Sequence, residues 1–375
     1  MDHRMSEGLL EALSVENREI AEALLAGERL TPETALRLVD APLNLLGLLA
    51  VRAKERQSGE EVYYNRNFHI EPSNICLYHC RFCSYRKGAE SPEAWNLSLE
   101  EIEAQVKARK ESGATEIHIV GGVHPEHDLA YYEQMIRAVK ALMPEASIKA
   151  FTAIELRYMI RKAGLTLAEG LARLKAAGME AIPGGGAEIF DPEIRQQLCA
   201  EKGTAEDWLE LHREAHRLGI PSNATMLYGH IETWAQRIDH LDRLRRLQDE
   251  TGGFNAFIPL KYRCRNNPLG EHLSEVSIVE DMRVMAISRL YLDNVPHLKA
   301  YWPMFGKTTA QLALAFGADD MDGTIDDTTR IYSMAGAEDR SPSMTTREME
   351  DLIHAAGYRP VERDTFYNPV KKGYL

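Results

Sequence analysis

Cysteine is scarce: five in 375 residues, an odd number and far below the density of a secreted disulfide scaffold. Long apolar runs are missing too. The longest, Leu45 to Val51, is much shorter than the roughly 18 residues of a membrane-spanning helix. The opening MDHRMSEGLLEALSVENREIAEALL lacks the apolar core and small-residue cleavage site of a signal peptide. Positive charge is in deficit, with 44 Lys and Arg against 57 Asp and Glu and a net charge of −13. Such a chain repels phosphate backbones and anionic lipids, so no nucleic acid and no membrane is expected among its partners. A reducing cytoplasm is the expected compartment. The rest of the composition is ordinary: 44% apolar residues supply a sizeable core and argue against disorder. Overall acidity leaves room for a local basic pocket that takes a small acidic substrate.

Residues 1–60 read as a helical extension, with Thr31-Pro32-Glu33 opening a helix. The aromatic and polar stretch Tyr63 to Ile70 reads as strand and loop. After it, short apolar runs alternate with charged amphipathic segments. The runs are Glu116–Val120, Ser147–Phe151, Glu180–Pro183, Ser222–Met226 and Ala256–Leu260, with weaker ones at Leu298–Ala300 and Asp322–Thr324. Ser98-Leu99-Glu100-Glu101 is a capping box. Stripes at helical spacing cover Thr204–Leu218, Glu232–Glu250 and Ser277–Leu292. About eight strands with helices between them predict an α/β fold, a closed (β/α) barrel over residues 61–375 with C-terminal elements closing it. An open dinucleotide-binding sheet would need G-x-G-x-x-G after its first strand, and none stands there. The site is expected in the loops that follow the strands.

Three of the five cysteines fall in one such loop, Cys76-Leu77-Tyr78-His79-Cys80-Arg81-Phe82-Cys83. This C-x3-C-x2-C spacing lets three thiolates converge on one soft metal centre. Structural zinc takes four ligands, commonly as separated pairs. No second CxxC exists, and His79 sits inside the same loop. Three thiolates suit a 4Fe–4S cluster with one iron open to the amino and carboxylate groups of S-adenosylmethionine. A three-thiolate zinc site in a non-enzymatic scaffold is the other reading. Phe82 would shield a cluster from water. Cys199 and Cys264 are isolated and read as small buried hydrophobes.

This loop resembles that of the radical S-adenosylmethionine superfamily, and Gly121-Gly122 resembles the superfamily's glycine motif, which receives the methionyl amino group. His69 to Cys76, Ile119 to Pro125, Pro183 to Glu188 and Phe257 to Leu260 resemble its branch of menaquinone (futalosine-pathway) and deazaflavin-forming enzymes. Within that branch, Gly184 to Phe190, Lys261-Tyr262-Arg263 and Ala318 to Thr324 resemble the members that form 6-amino-6-deoxyfutalosine. The resemblance implies a radical barrel fold with a 4Fe–4S cluster on Cys76, Cys80 and Cys83. It implies that a 5′-deoxyadenosyl radical from S-adenosylmethionine adds to 3-((1-carboxyvinyl)oxy)benzoate with loss of bicarbonate, and an electron donor such as flavodoxin or ferredoxin is expected as a partner. The branch's cyclising futalosine-pathway enzyme and its deazaflavin synthase are the nearest rivals.

A dicarboxylate substrate needs cations. Lys261, Arg263 and Arg265 follow the Phe257–Leu260 strand and would share one side if it continued; they are the expected substrate contacts, together with Asp320 at the barrel mouth. A solvated basic turn, and for Asp319-Asp320 a helix-end turn, are the bland alternatives. Lys261, His124 and His230, each just past a strand, are candidate catalytic groups or satisfied structural ones. Glu188, after three glycines, is placed to bind the ribose of the adenosyl group or to cap a helix, and Pro259 belongs to a motif that would border the cofactor.

Overall fold

In the computed structural model, which describes residues 14–370, ten strands appear: β1 Glu61–Asn65, β2 Asn67–Ile70, β3 Glu116–Ile119, β4 Ser147–Ala150, β5 Met179–Ala181, β6 Ser222–Tyr228, β7 Phe254–Lys261, β8 His297–Leu298, β9 Asp320–Gly323 and β10 Arg359–Glu362. Their hydrogen-bonded orders are β2-β3-β4-β5, β6-β7-β8 and β10-β1-β9, with parallel pairing throughout. Single parallel bridges, Ile182 to Ser222 and Lys299 to Asp320, join the pieces. β1 and β2 are one strand interrupted at Arg66. Its first half pairs with β9 and its second with β3, so an eight-stranded parallel ring closes. This is the (β/α) barrel that the alternation implies. β10 is the addition: it lines the edge of β1 below the point where β2 takes up β3.

Local sequence explains most of the helices. Ser98, Thr152, Thr166, Thr204, Thr233 and Thr345 each cap a helix, with the third helical residue reaching back to complete a capping box. Before the barrel lie helices Val15–Ala26, Pro32–Leu38 and Leu43–Ser58; the helical reading of residues 1–13 lies outside the described residues. The apolar run at 45–51 is a core helix, burying Leu45, Leu46 and Leu49 against helix Ile278–Tyr291. Each such leucine contributes about 1.5–3 kcal/mol. Arg29 ties these helices to Asp249 (3.0 Å), in the last turn of the helix before β7, and to Asp293 (2.9 Å), in the turn that leads into β8. The tie therefore lies at the end of the barrel opposite the strand C-termini. No described helix is long and apolar enough to cross a membrane.

Candidate active site

The strands point two kinds of side chain inward. Pairing sets His69 of β2 beside His118 of β3, and His118 beside Lys149 of β4. One layer of the barrel interior is therefore basic and aromatic. A cavity of about 220 Å³ opens onto it. At one end it reaches Cys83 of the thiol loop and Gly121 just past β3; at the other it is bounded by His69, His118, Lys149, Lys299 and Asp322. Ile258, Leu260, Tyr301 and Tyr332 give the walls between an apolar, aromatic surface.

At the mouth, the three cysteines share the loop that follows β2. Cys76 Sγ accepts the Val123 N–H at 3.3 Å, and the Cys83 N–H closes a turn on Cys80 O at 3.1 Å. Burial pushes the Cys80 thiol up to about 12 and raises Cys83 as well. The thiols influence one another in sequence, Cys76 acting on Cys83 and Cys83 on Cys80. Among the described residues no three His, Cys, Asp or Glu side chains are already closed around a metal-sized point. The donor set nonetheless fits a soft, cationic iron–sulfur group. Three neighbouring thiols stand on one loop, and burial makes Cys80 and Cys83 poor anions until a metal charge stabilises the thiolates.

Lys202 stands over this loop. Its Nζ is 5.1 Å from the Phe82 ring centroid and 2.5 Å from Glu188 Oε1. Burial opposes its charge, but Cys80, Glu188 and Cys199 together raise its pKa well above the lysine range. Glu188 itself is buried and held at φ +50°, a backbone conformation that costs a non-glycine residue energy. On the other side, Gly121 donates its N–H to Glu155 Oε1 at 3.0 Å. Burial pushes Glu155 up to about 7, against the hydrogen bonds of Thr152 and Gly121. Glycine is required at 122, where a Cβ would lie 2.3 Å from Ile75 O and 3.1 Å from Cys76 Cβ.

Several expected residues lie elsewhere. Ile258 and Leu260 face the cavity, so strand alternation turns Pro259 and Lys261 to the outer side of β7. There Lys261 Nζ pairs with Asp281 at 2.8 Å and donates to Val276 O at 2.9 Å. Arg263 pairs with Glu275 at 3.1 Å, and both arginines, 263 and 265, line a second, open cleft with Lys261 that shares no residue with the first. Asp320, the first residue of β9, sits below the mouth and pairs with Arg363 at 2.6 Å. His124 stacks on His127 at 4.0 Å and accepts the Glu126 N–H. His230 is engaged at both nitrogens, Nδ1 accepting the Ile231 N–H and Nε2 donating to Leu227 O. Sequence reasoning passed over His69, His118 and Lys149, whose sign was a polar residue inside a short apolar strand. It also passed over Lys202, which carries no such sign.

Residues 70–244 match the radical SAM superfamily and residues 251–373 match the CofH/MqnC C-terminal region. The aminodeoxyfutalosine synthase of Thermus thermophilus is 44% identical over 94% of this chain and 95% of its own. That of Streptomyces coelicolor is 41% identical over 95% and 94%. Among solved structures, the FeFe-hydrogenase maturase HydG from Carboxydothermus hydrogenoformans superposes with a TM-score of 0.75 at 20% identity, over 94% of this chain and 80% of that one; this likeness concerns the fold.

Proposed function

Since the chain belongs to the radical SAM superfamily, we propose that it catalyses the aminodeoxyfutalosine synthase reaction of menaquinone biosynthesis. It would join the 5′-deoxyadenosyl group of S-adenosylmethionine to 3-((1-carboxyvinyl)oxy)benzoate, with loss of bicarbonate, to give 6-amino-6-deoxyfutalosine. The observation that carries this reading is 44% and 41% identity to two such synthases over nearly the whole chain. Membership of the superfamily implies iron–sulfur and S-adenosylmethionine chemistry in general terms; the particular ligands are part of the proposal.

Cys76, Cys80 and Cys83 would hold a 4Fe–4S cluster, which when bound supplies the electron that cleaves S-adenosylmethionine. Phe82 and the Lys202–Glu188 pair would screen that loop from water. Gly121 and Gly122 would offer backbone close to the cofactor, with Glu155 fixing the Gly121 amide from behind. The apolar walls of Ile258 and Leu260 would seat the aromatic ring and keep water from a reactive carbon. A small one-electron carrier such as flavodoxin or ferredoxin would serve as donor, and a reducing cytoplasm would keep the thiols free.

Anaerobic incubation of cluster-loaded protein with S-adenosylmethionine and the enol-ether benzoate tests the reading. An adenosine-bearing adduct is expected by mass spectrometry. Accumulation of free 5′-deoxyadenosine with no adduct would sink it in favour of a hydrogen-abstracting relative. Gly122→Ala is expected to displace the Ile75–Cys76 backbone, at a cost of about 1–3 kcal/mol, and to lower iron content after reconstitution. Calorimetry and an iron assay report the two effects. Full iron loading at unchanged stability would show that the loop does not need that close approach.

A further inference from the structure

The inner end of the cavity holds hydrogen-bonding groups with nothing to bond. His69 is 2% exposed, yet neither its Nδ1 nor its Nε2 has a partner among the described residues, and His118 Nε2 is in the same position. The two rings lie 4.4 Å apart, and both line the cavity. Leaving a buried polar group unpaired is costly, and a ligand placed there removes that cost.

The charges around the pair are already matched. Glu116 of β3 meets Lys149 of β4 at 2.5 Å, and Lys299 beyond β8 meets Asp322 of β9 at 2.5 Å. These four are the charged groups that act most strongly on the imidazoles, and their sum is zero. Burial lowers His69 to about 4, although Asp322 and Glu116 pull the other way, and it holds His118 well below the usual histidine range. Both rings are therefore neutral at pH 7, and a dianion would enter a site with no net positive charge. A carboxylate against two free imidazoles changes that balance, since the nearby negative charge favours the imidazolium.

We propose that His69 and His118 form a proton-accepting seat for the benzoate carboxylate of the substrate, so that substrate and a proton bind together. This rests on the reaction proposed above. The direction follows from the cavity's two ends: the reacting enol-ether carbon must face the Cys83 and Gly121 end, which leaves the ring carboxylate to the histidine end. The proton comes from solvent and stays on the imidazole pair while ligand is bound. No bond to carbon changes in this step.

The test is anaerobic isothermal titration calorimetry of cluster-loaded protein with 3-((1-carboxyvinyl)oxy)benzoate at pH 7, in two buffers of different ionisation enthalpy. Uptake of about one proton per ligand is expected. His69→Gln and His118→Gln are each expected to reduce that uptake and to weaken binding about tenfold, raising KM more than they lower kcat. A buffer-independent binding enthalpy in the unaltered protein overturns the seat, as does unchanged affinity and uptake in both variants. Should the variants fail to fold, the proton count of the unaltered protein decides alone. Product formation without proton uptake would remove the seat and leave the reaction standing. Absence of both binding and adduct would remove the reaction as well.

Discussion

The Cys80→Ala protein is expected to emerge from reconstitution colourless, to hold little or none of the about four irons of a filled cluster, and to leave S-adenosylmethionine intact, with adduct formation at background. Cys80 is the most telling of the three thiols because it is the most enclosed, at 8% exposure. It lies under the influence of Cys83, Cys199, Glu188 and Lys202. Two remaining thiolates cannot hold a cluster that uses three. The controls are the bystanders. Cys264, in the outer cleft and nearest to Glu275, should be replaceable by alanine with iron and activity retained. Cys199→Ala is the sharper control, because Cys199 is buried within reach of Lys202 and Cys80. Iron lost from Cys199→Ala and kept by Cys80→Ala would mean that the wrong thiols had been chosen.

The order of strands and helices was legible because it rests on local periodicity and caps: Ser98, Thr204 and Ser277 all cap helices where their spacing indicates. Strand parity was not. In a parallel barrel both faces of a strand are buried, so Phe254–Lys261 carries large apolar residues on each side and nothing local says which residues face the cavity. One step of parity separates Ile258 and Leu260, on the inside, from Pro259 and Lys261. The basic cluster at 261–265 was therefore visible as a cluster but not as an outward-facing one. The interior histidines had the opposite problem. Their sign was plain, Ile117-His118-Ile119 and Ile148-Lys149-Ala150, but its meaning depends on the cross-strand register that aligns His69, His118 and Lys149. That register comes from ring closure and not from any one segment. β10 was missed for a similar reason: Arg359–Glu362 is a short exposed-to-buried strand that becomes one only beside β1.

Arg363→Met is expected to destabilise the protein by about 3–5 kcal/mol, because it leaves the Asp320 carboxylate buried without its cation. Both side chains are fully enclosed, with Nε and Oδ2 2.6 Å apart. Burial alone would raise the Asp320 pKa, but Arg363, followed by Lys299, overcomes it and holds the carboxyl far below its usual range. The pair also has an architectural task. Asp320 opens β9, and Arg363 follows β10 and donates its N–H to Tyr64 O of β1 at 2.9 Å, so the ion pair ties together three strands at the base of the ring. Replacing both partners by apolar residues removes the stranded charge as well as the attraction. The Asp320→Leu/Arg363→Met double variant should therefore recover at least half of the loss, a non-additivity that denaturant midpoints of the single and double variants measure directly. The same series decides what Asp320 does. A base-of-barrel tie predicts that Asp320→Asn lowers the midpoint and leaves KM for the enol-ether benzoate unchanged in the folded fraction. A raised KM at full stability would instead place Asp320 in contact with substrate.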